Sequence, residues 1–165
     1  MPLPLRNLLF LLMTLWALQP LGGWAAQAGV IQSVDGRARV WERSGLERPA
    51  QPNVQVFEGD TVASAAGSSV QMRMSDGALI WLRPDSQLKV EQYVTAKGSE
   101  RALLQLVKGG FRAVTGLIGK LRPDDYRAQT ANAALGIRGT DYELVLDRKS
   151  TRLNSSHGYI SYAVF

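Results

Sequence analysis

Apolar and polar positions alternate with a period of two through much of the chain. Val70, Met72 and Met74 share one face while Gln71 and Arg73 share the other, and Gln87-Leu88-Lys89-Val90-Glu91 repeats the pattern. Side chains on a strand point alternately to opposite faces, so each run predicts a half-buried strand. Arg37-Ala38-Arg39-Val40-Trp41 reads the same way, with Ala38 and Val40 on one face and the arginines on the other. Four turns marked by Gly or Pro punctuate these runs: Glu58-Gly59-Asp60, Ala66-Gly67-Ser68, Ser75-Asp76-Gly77 and Arg83-Pro84-Asp85-Ser86. A turn every roughly eight to ten residues predicts an all-β domain of short stacked strands, either a β-solenoid-like coil or a twisted β-sandwich.

The remaining segments fit that reading. Residues 29–34 lead into Asp35-Gly36, a hairpin signal because both positions tolerate positive φ. Residues 42–53 carry Gly45, Pro49 and Pro52 among charged residues and read as a loop, and residues 54–57 as a short strand. Residues 78–82 are apolar throughout, which predicts a strand covered on both faces. Residues 101–108 read as a strand, with helix competing because β-branched residues are few. Arg122-Pro123-Asp124-Asp125 is a turn, and strands at 126–130 and 140–146 flank a stretch of small residues, 131–139.

Both ends stand apart from this pattern. Arg6, the apolar run Leu8 to Leu18, then Pro20, Gly22, Gly23 and Ala26-Gln27-Ala28 read as a signal peptide over residues 1–28, cleaved after Ala28 or Ala25. The apolar run, about eleven residues, falls short of the ~20 that span a bilayer, so an uncleaved leader is the only membrane attachment expected. At the other end, Asp147 to Phe165 matches the translation of a common sequencing adapter, with Gly158-Tyr159 where a variable index would lie. Residues 147–165 are therefore expected to be an adapter-derived, disordered tail, and the domain, residues 29–146, to be cut short near Leu146.

Removing the ends changes the chemistry. The only histidine, His157, and Asn154-Ser155-Ser156, which mimics a glycosylation acceptor, both lie in the tail. Of the net charge of +5, residues 29–146 keep only +2. With no cysteine in the chain, disulfides and thiol-metal sites are excluded. An exported domain of such mixed charge is not expected to bind nucleic acid.

Three ordered pieces carry a resemblance. They are Glu58-Gly59-Asp60-Thr61-Val62 with Ala66-Gly67-Ser68-Ser69-Val70; residues 74–88, with Asp76-Gly77 and Pro84-Asp85-Ser86-Gln87-Leu88; and Thr130-Ala131-Asn132-Ala133 followed by Gly136-Ile137-Arg138-Gly139-Thr140-Asp141-Tyr142-Glu143-Leu144. The set resembles the FecR domain family, with Ile137 where the family pattern has Val and Tyr142 where it has Phe. The resemblance implies a β-rich envelope domain. The best-known members are periplasmic parts of iron-uptake sigma-factor regulators. Here the export signal begins at residue 1 and leaves no room for a cytoplasmic anti-sigma segment, so the chain looks more like the exported FecR-domain proteins.

Candidate chemistry is sparse. Asp35, Asp60, Asp76 and Asp85 sit in turns, where Asp usually caps its own backbone, and their spacing fits no calcium loop. Gly59, Gly67, Gly77, Pro84, Gly136, Gly139 and Thr140 read as turn and bend residues. Gly116-Leu117-Ile118-Gly119-Lys120 lacks the spacing of a phosphate loop. Arg138 offers a planar fork to a carboxylate or phosphate, or pairs locally. Trp41 is the better surface aromatic and Trp81 the better core one. Lys108, Arg112, Lys120, Arg122 and Arg127 offer a basic face for an anionic envelope polymer, or are simply solvated. No nucleophile–base pair, cofactor site or metal site is expected. The expectation is a non-enzymatic module of the periplasm or cell envelope that engages a partner protein or a glycan through sheet edges or loops. The alternatives are a signal-relay component of a sigma-factor system and a glycan hydrolase using two carboxylates roughly 5–10 Å apart.

Overall fold

The computed structural model describes residues 26–137, 139–147, 150–155 and 160–164. Arg138 and residues 1–25, where the signal peptide was expected, lie outside that set. The described chain is all-β, with one short helix.

The strands fall into two layers that share one strand. The first layer holds β4 (Gln55–Phe57), β1 (Gln27–Asp35), β6 (Ser69–Met74), β7 (Leu79–Leu82), the second half of β9 (Arg101–Val114) and β12 (Asp141–Asp147). The second holds β3 (Glu47–Pro49), β2 (Ala38–Trp41), β5 (Thr61–Ser64), β8 (Gln87–Val94), the first half of β9, β10 (Tyr126–Gln129) and β11 (Ala133–Ile137). Pairing is antiparallel throughout, apart from the parallel pair of β10 with β9. Antiparallel pairs between strands distant in sequence make a twisted sandwich; stacked coils would pair in parallel.

Alternation puts the core between the layers. Val70, Met72, Met74, Ile80, Leu82, Phe111 and Leu144 come from the first layer, and Val40, Val62, Leu88, Val90, Leu104, Leu106 and Ala128 from the second, all buried in one cluster. Burial of that apolar area supplies the main favourable term in folding.

The chain changes layers four times at one end: β1 to β2, β5 to β6, β7 to β8, and within β9. The last crossing depends on Gly109. Residues up to Lys108 pair with β8, whereas Gly109 to Val114 pair with β7 and β12. Gly109 bends the strand at φ +75°, and a Cβ there would lie 2.2 Å from Ser86 Oγ. Buried serines fasten these crossings. Ser68 Oγ accepts from the Arg37 amide (2.9 Å), Ser64 Oγ accepts from the Ser86 amide (3.1 Å) and donates to Arg83 O (2.5 Å), and Ser86 Oγ accepts from the Gly110 amide (2.9 Å).

Several sequence expectations are corrected. Asp35-Gly36 closes no hairpin: β1 pairs with β4 and β6, and β2 with β3 and β5. Gly36 turns the chain between layers because its φ is +82° and a Cβ would strike Ser68 Oγ at 2.3 Å. The loop over 42–53 contains β3. β7 is covered on one face only, because its flanks are taken by β6 and β9 and a single layer opposes it; Leu79 and Trp81 stay partly exposed. The 131–139 stretch contains β11, and the 116–120 segment opens α1 (Leu117–Leu121). Residues 147–165, expected to be disordered, include β13 (Ser150–Ser155) on the edge of β12 and β14 (Ile160–Val164) on the edge of β11. An unpaired edge offers a row of backbone donors and acceptors to any extended segment nearby.

Gly109→Ala tests the crossing. The substitution is expected to destabilise the fold by more than about 2 kcal/mol in chemical denaturation, since it adds both a strained φ and a steric clash.

Candidate functional site

Two of the four turn carboxylates, Asp60 and Asp76, are buried. Asp76, 7% exposed, follows β6 and precedes β7. Its Oδ1 accepts from the Ala78 amide (2.9 Å) and from the Tyr93 hydroxyl (2.7 Å), and its Oδ2 accepts from the Ile118 amide (3.1 Å). The Leu117 amide donates to the Asp76 carbonyl. One residue therefore holds its own turn, a strand of the opposite layer and the start of α1. Gly116 permits the approach, since a Cβ there would lie 2.5 Å from the Asp76 carboxyl.

Beside it lie three buried tyrosines, Tyr93, Tyr126 and Tyr142. The Tyr126 and Tyr142 hydroxyls share a hydrogen bond of 2.9 Å, and Tyr142 meets both Tyr126 and Phe111 edge-on. Burial pushes all three phenols well above their ordinary range. They serve as neutral donors and acceptors.

Asp60, 2% exposed, closes the turn between β4 and β5. Its Oδ2 accepts from the Phe57 amide (3.0 Å) and from Arg48 (3.1 Å). Arg48 also reaches Glu42 at 3.2 Å. Burial pushes the Asp60 carboxyl up by more than the Phe57 amide and Arg48 hold it down.

The expected basic face does not assemble. Lys108 pairs with Asp85 at 2.6 Å at the crossing end, while Arg112, on the first layer, makes two bonds to Asp141, 3.0 and 2.5 Å, which hold that carboxyl below its usual range. Arg122 binds Glu100 (2.8 Å) and Asp125 (2.9 Å), Arg127 projects from the second layer, and Lys120 lies on α1. Gly59, Gly67, Gly77 and Pro84 lie in turns. Gly139 and Thr140 form the bend before β12, where their carbonyls accept from Thr115 at 3.0 and 2.9 Å, while Gly136 lies within β11 opposite Arg127.

Trp41 and Trp81 are both half-buried on outer faces. Trp41 stands on β2 opposite Thr61 and next to Glu47 of the edge strand β3. Trp81 stands at the centre of a row that crosses the first layer: Gln71, Trp81, Arg112 and Glu143 are successive cross-strand partners. Arg73, two residues along β6 from Gln71, shares its face of the strand, and Arg83 pairs with Glu143 at 2.6 Å. The row sets a planar amide and a guanidinium on the two strands flanking one indole, with a carboxylate one strand farther on. Sequence reading missed this platform because the apolar run 78–82 concealed which of its residues face outward. It also missed the reach of Asp76 to Tyr93 and Ile118, partners 17 and 42 residues away.

An all-β sandwich whose turn carboxylates serve the fold and whose polar chemistry lies on an outer sheet face is the class these observations define. The family model described as "FecR protein" matches residues 60–161, more than half of the chain, and the protein belongs to the FecR family. No curated protein matches it. Among solved structures it is similar to a chain titled "Cell surface anchoring domain", at 29% identity over 38% of this chain and 82% of that one, with a TM-score of 0.36.

Two predictions concern the carboxylates. Asp76→Ala leaves three buried donors without an acceptor and is expected to cost about 3 kcal/mol or more in denaturation, with loss of amide-exchange protection in α1; unchanged exchange at Ile118 would contradict the clamp. A carboxyl whose folded pKa is raised binds its proton more tightly in the folded state, so its ionisation costs stability as pH rises above about 4. Stability measured from acidic to neutral pH is therefore expected to fall for the native chain relative to Asp60→Asn, with no such relative slope if burial does not control that group.

Proposed function

We propose that this FecR-family chain is a non-enzymatic binding module of the cell envelope, exported and carried by the outer face of its first layer, and that the ligand is an envelope glycan. The observation that carries this reading is the row Gln71, Trp81, Arg112 and Glu143 across four adjacent strands. Sugar rings present an apolar face that stacks on an indole and a rim of hydroxyls that exchange hydrogen bonds with planar amide, carboxylate and guanidinium groups. Strand spacing of about 4.8 Å sets these groups along a line, and both neighbours of β7 hold Trp81 in place.

Three further points support the reading. One edge strand of each layer, β3 or β4, has only three residues and offers little to strand addition, while at the other edges β12 and β11 are already paired with β13 and β14. The buried carboxylates Asp60 and Asp76 are engaged in holding turns. Arg73 makes no ion pair among the described residues, so the face retains a positive group for acidic substituents on the glycan.

Co-sedimentation of the full chain with insoluble peptidoglycan tests the proposal. Trp81→Ala and Gln71→Ala are each expected to weaken retention at least tenfold (about 1.4 kcal/mol), with the melting temperature measured alongside to separate binding from folding. Retention that survives in a folded Trp81→Ala chain would overturn it.

A further inference from the structure

The sheet face that carries Trp81 holds a second row beside the first. Val30, Arg73, Leu79 and Val114 are successive cross-strand partners on β1, β6, β7 and β9, and Asp141 of β12 ends the row. Arg73, Leu79 and Val114 each stand two residues along their strand from Gln71, Trp81 and Arg112. The two rows therefore run side by side on one face, roughly 7 Å apart. Val30, Leu79 and Val114 are half-buried, and Arg73 is exposed. The second row is an apolar strip with one cation in it.

The charges on this face leave Arg73 apart. Asp141 holds Arg112 through two bonds and Glu143 holds Arg83, so the outward acids of the two rows are paired. Arg73 forms no ion pair among the described residues. Its partners across the ladder are Val30 and Leu79, and the next outward residues along its own segment are Gln71 and Ser75, none of them charged. A guanidinium takes a carboxylate through two parallel bonds, and apolar neighbours strengthen that attraction by lowering the local dielectric. A carboxylate on a short alkyl arm fits best, because the arm covers Val30 or Leu79 as the charge docks. Leu79 and Val114 likewise suit the methyl of an acyl group on a ring stacked at Trp81, and the distance between the rows is within reach of such a substituent. An unsubstituted neutral glycan would set hydroxyls over leucine and valine, where they exchange no hydrogen bonds, and would offer Arg73 no anion.

We propose that this face selects its glycan by the substituents on the sugar. The ligand class is an N-acylated amino-sugar polymer that carries carboxylates on short alkyl arms, with acyl methyls on Leu79 and Val114 and a carboxylate on Arg73. The inference rests on the glycan reading of the Trp81 row and adds what the sugar must carry.

Four insoluble glycans test the selection by co-sedimentation of the full chain. They are peptidoglycan stripped of its peptides by an amidase, which carries N-acetyl groups and free lactyl carboxylates; the same material with those carboxylates converted to methylamides; chitin; and cellulose. Retention on the stripped glycan is expected to exceed that on its methylamide roughly fivefold. Retention on chitin is expected to exceed that on cellulose roughly threefold. Arg73→Gln is expected to erase the first preference and Leu79→Ser the second, with melting temperatures confirming that both chains fold. Each preference is a ratio within one protein sample, so a general loss of stability does not imitate it. Equal retention of the stripped glycan and its methylamide by the native chain would leave Arg73 only its stem, as a cover for apolar neighbours, and would overturn the proposal. Retention on all four glycans that is lost in Trp81→Ala but does not distinguish them would overturn it too, with the glycan reading still standing. Retention on none of the four would overturn both.

Discussion

A chain that leaves one sheet for the other four times at one end must bury backbone there that no ladder can satisfy. An unpaired amide in such a place costs about as much as a lost hydrogen bond. Serine is the economical answer, because its hydroxyl donates and accepts while occupying little space. Ser64, Ser68 and Ser86 are all buried, and each ties a crossing to backbone from another: Ser68 to Arg37, Ser64 to Arg83 and Ser86, Ser86 to Gly110. The close approach of Gly36 to Ser68 and of Gly109 to Ser86 follows from the same geometry. Remove the glycine and the hydroxyl loses its place; remove the hydroxyl and a buried amide loses its acceptor.

The far end is held by carboxylates in place of hydroxyls. Asp76 must satisfy three donors from three segments, which a carboxylate's two oxygens can do and an amide's single oxygen cannot. Helix α1, five residues long, has no stability of its own at that length. It exists because Asp76 fixes its first turn and Ile118 is buried, and the outward display of Leu117 and Leu121 is a consequence. Here a fold-stabilising contact also determines what the surface presents.

The strands were largely legible in the chain because a period of two survives wherever one face is buried; residues 70–74 and 87–91 alternate in the structure as in the sequence. The turns were legible too, but what they connect was not. Gly36, Gly67 and Pro84 punctuate the sequence in the manner of hairpin turns, yet each marks a passage between layers, a property set by pairing with strands far along the chain. The competing helix at 101–108 loses because β8 and β10 both pair with that segment. Tertiary pairing overrides weak local preference there. Small residues at 131–139 disguised β11 for the opposite reason: a strand flanked by others can form with little β propensity of its own. The reach of Asp76 was illegible, since a turn aspartate looks the same whether it caps two residues or three segments.

Trp41 and Trp81 show how position within a sheet alters what a residue can do. In the sequence Trp41 ends an alternating strand and Trp81 lies in an unbroken apolar run, which favours the first as a surface group. In the structure both stand on outer faces, but their settings differ. Trp41 neighbours β3, an edge of three residues, where backbone motion is least restrained. Trp81 is on an interior strand, with Gln71 on one side and Arg112 on the other, and Arg112 is itself fixed by two bonds to Asp141. A ligand that meets groups already held in position loses less freedom on binding than one that must order them. An apolar run in the middle of a sheet can thus supply a more rigid recognition surface than an exposed aromatic at its margin.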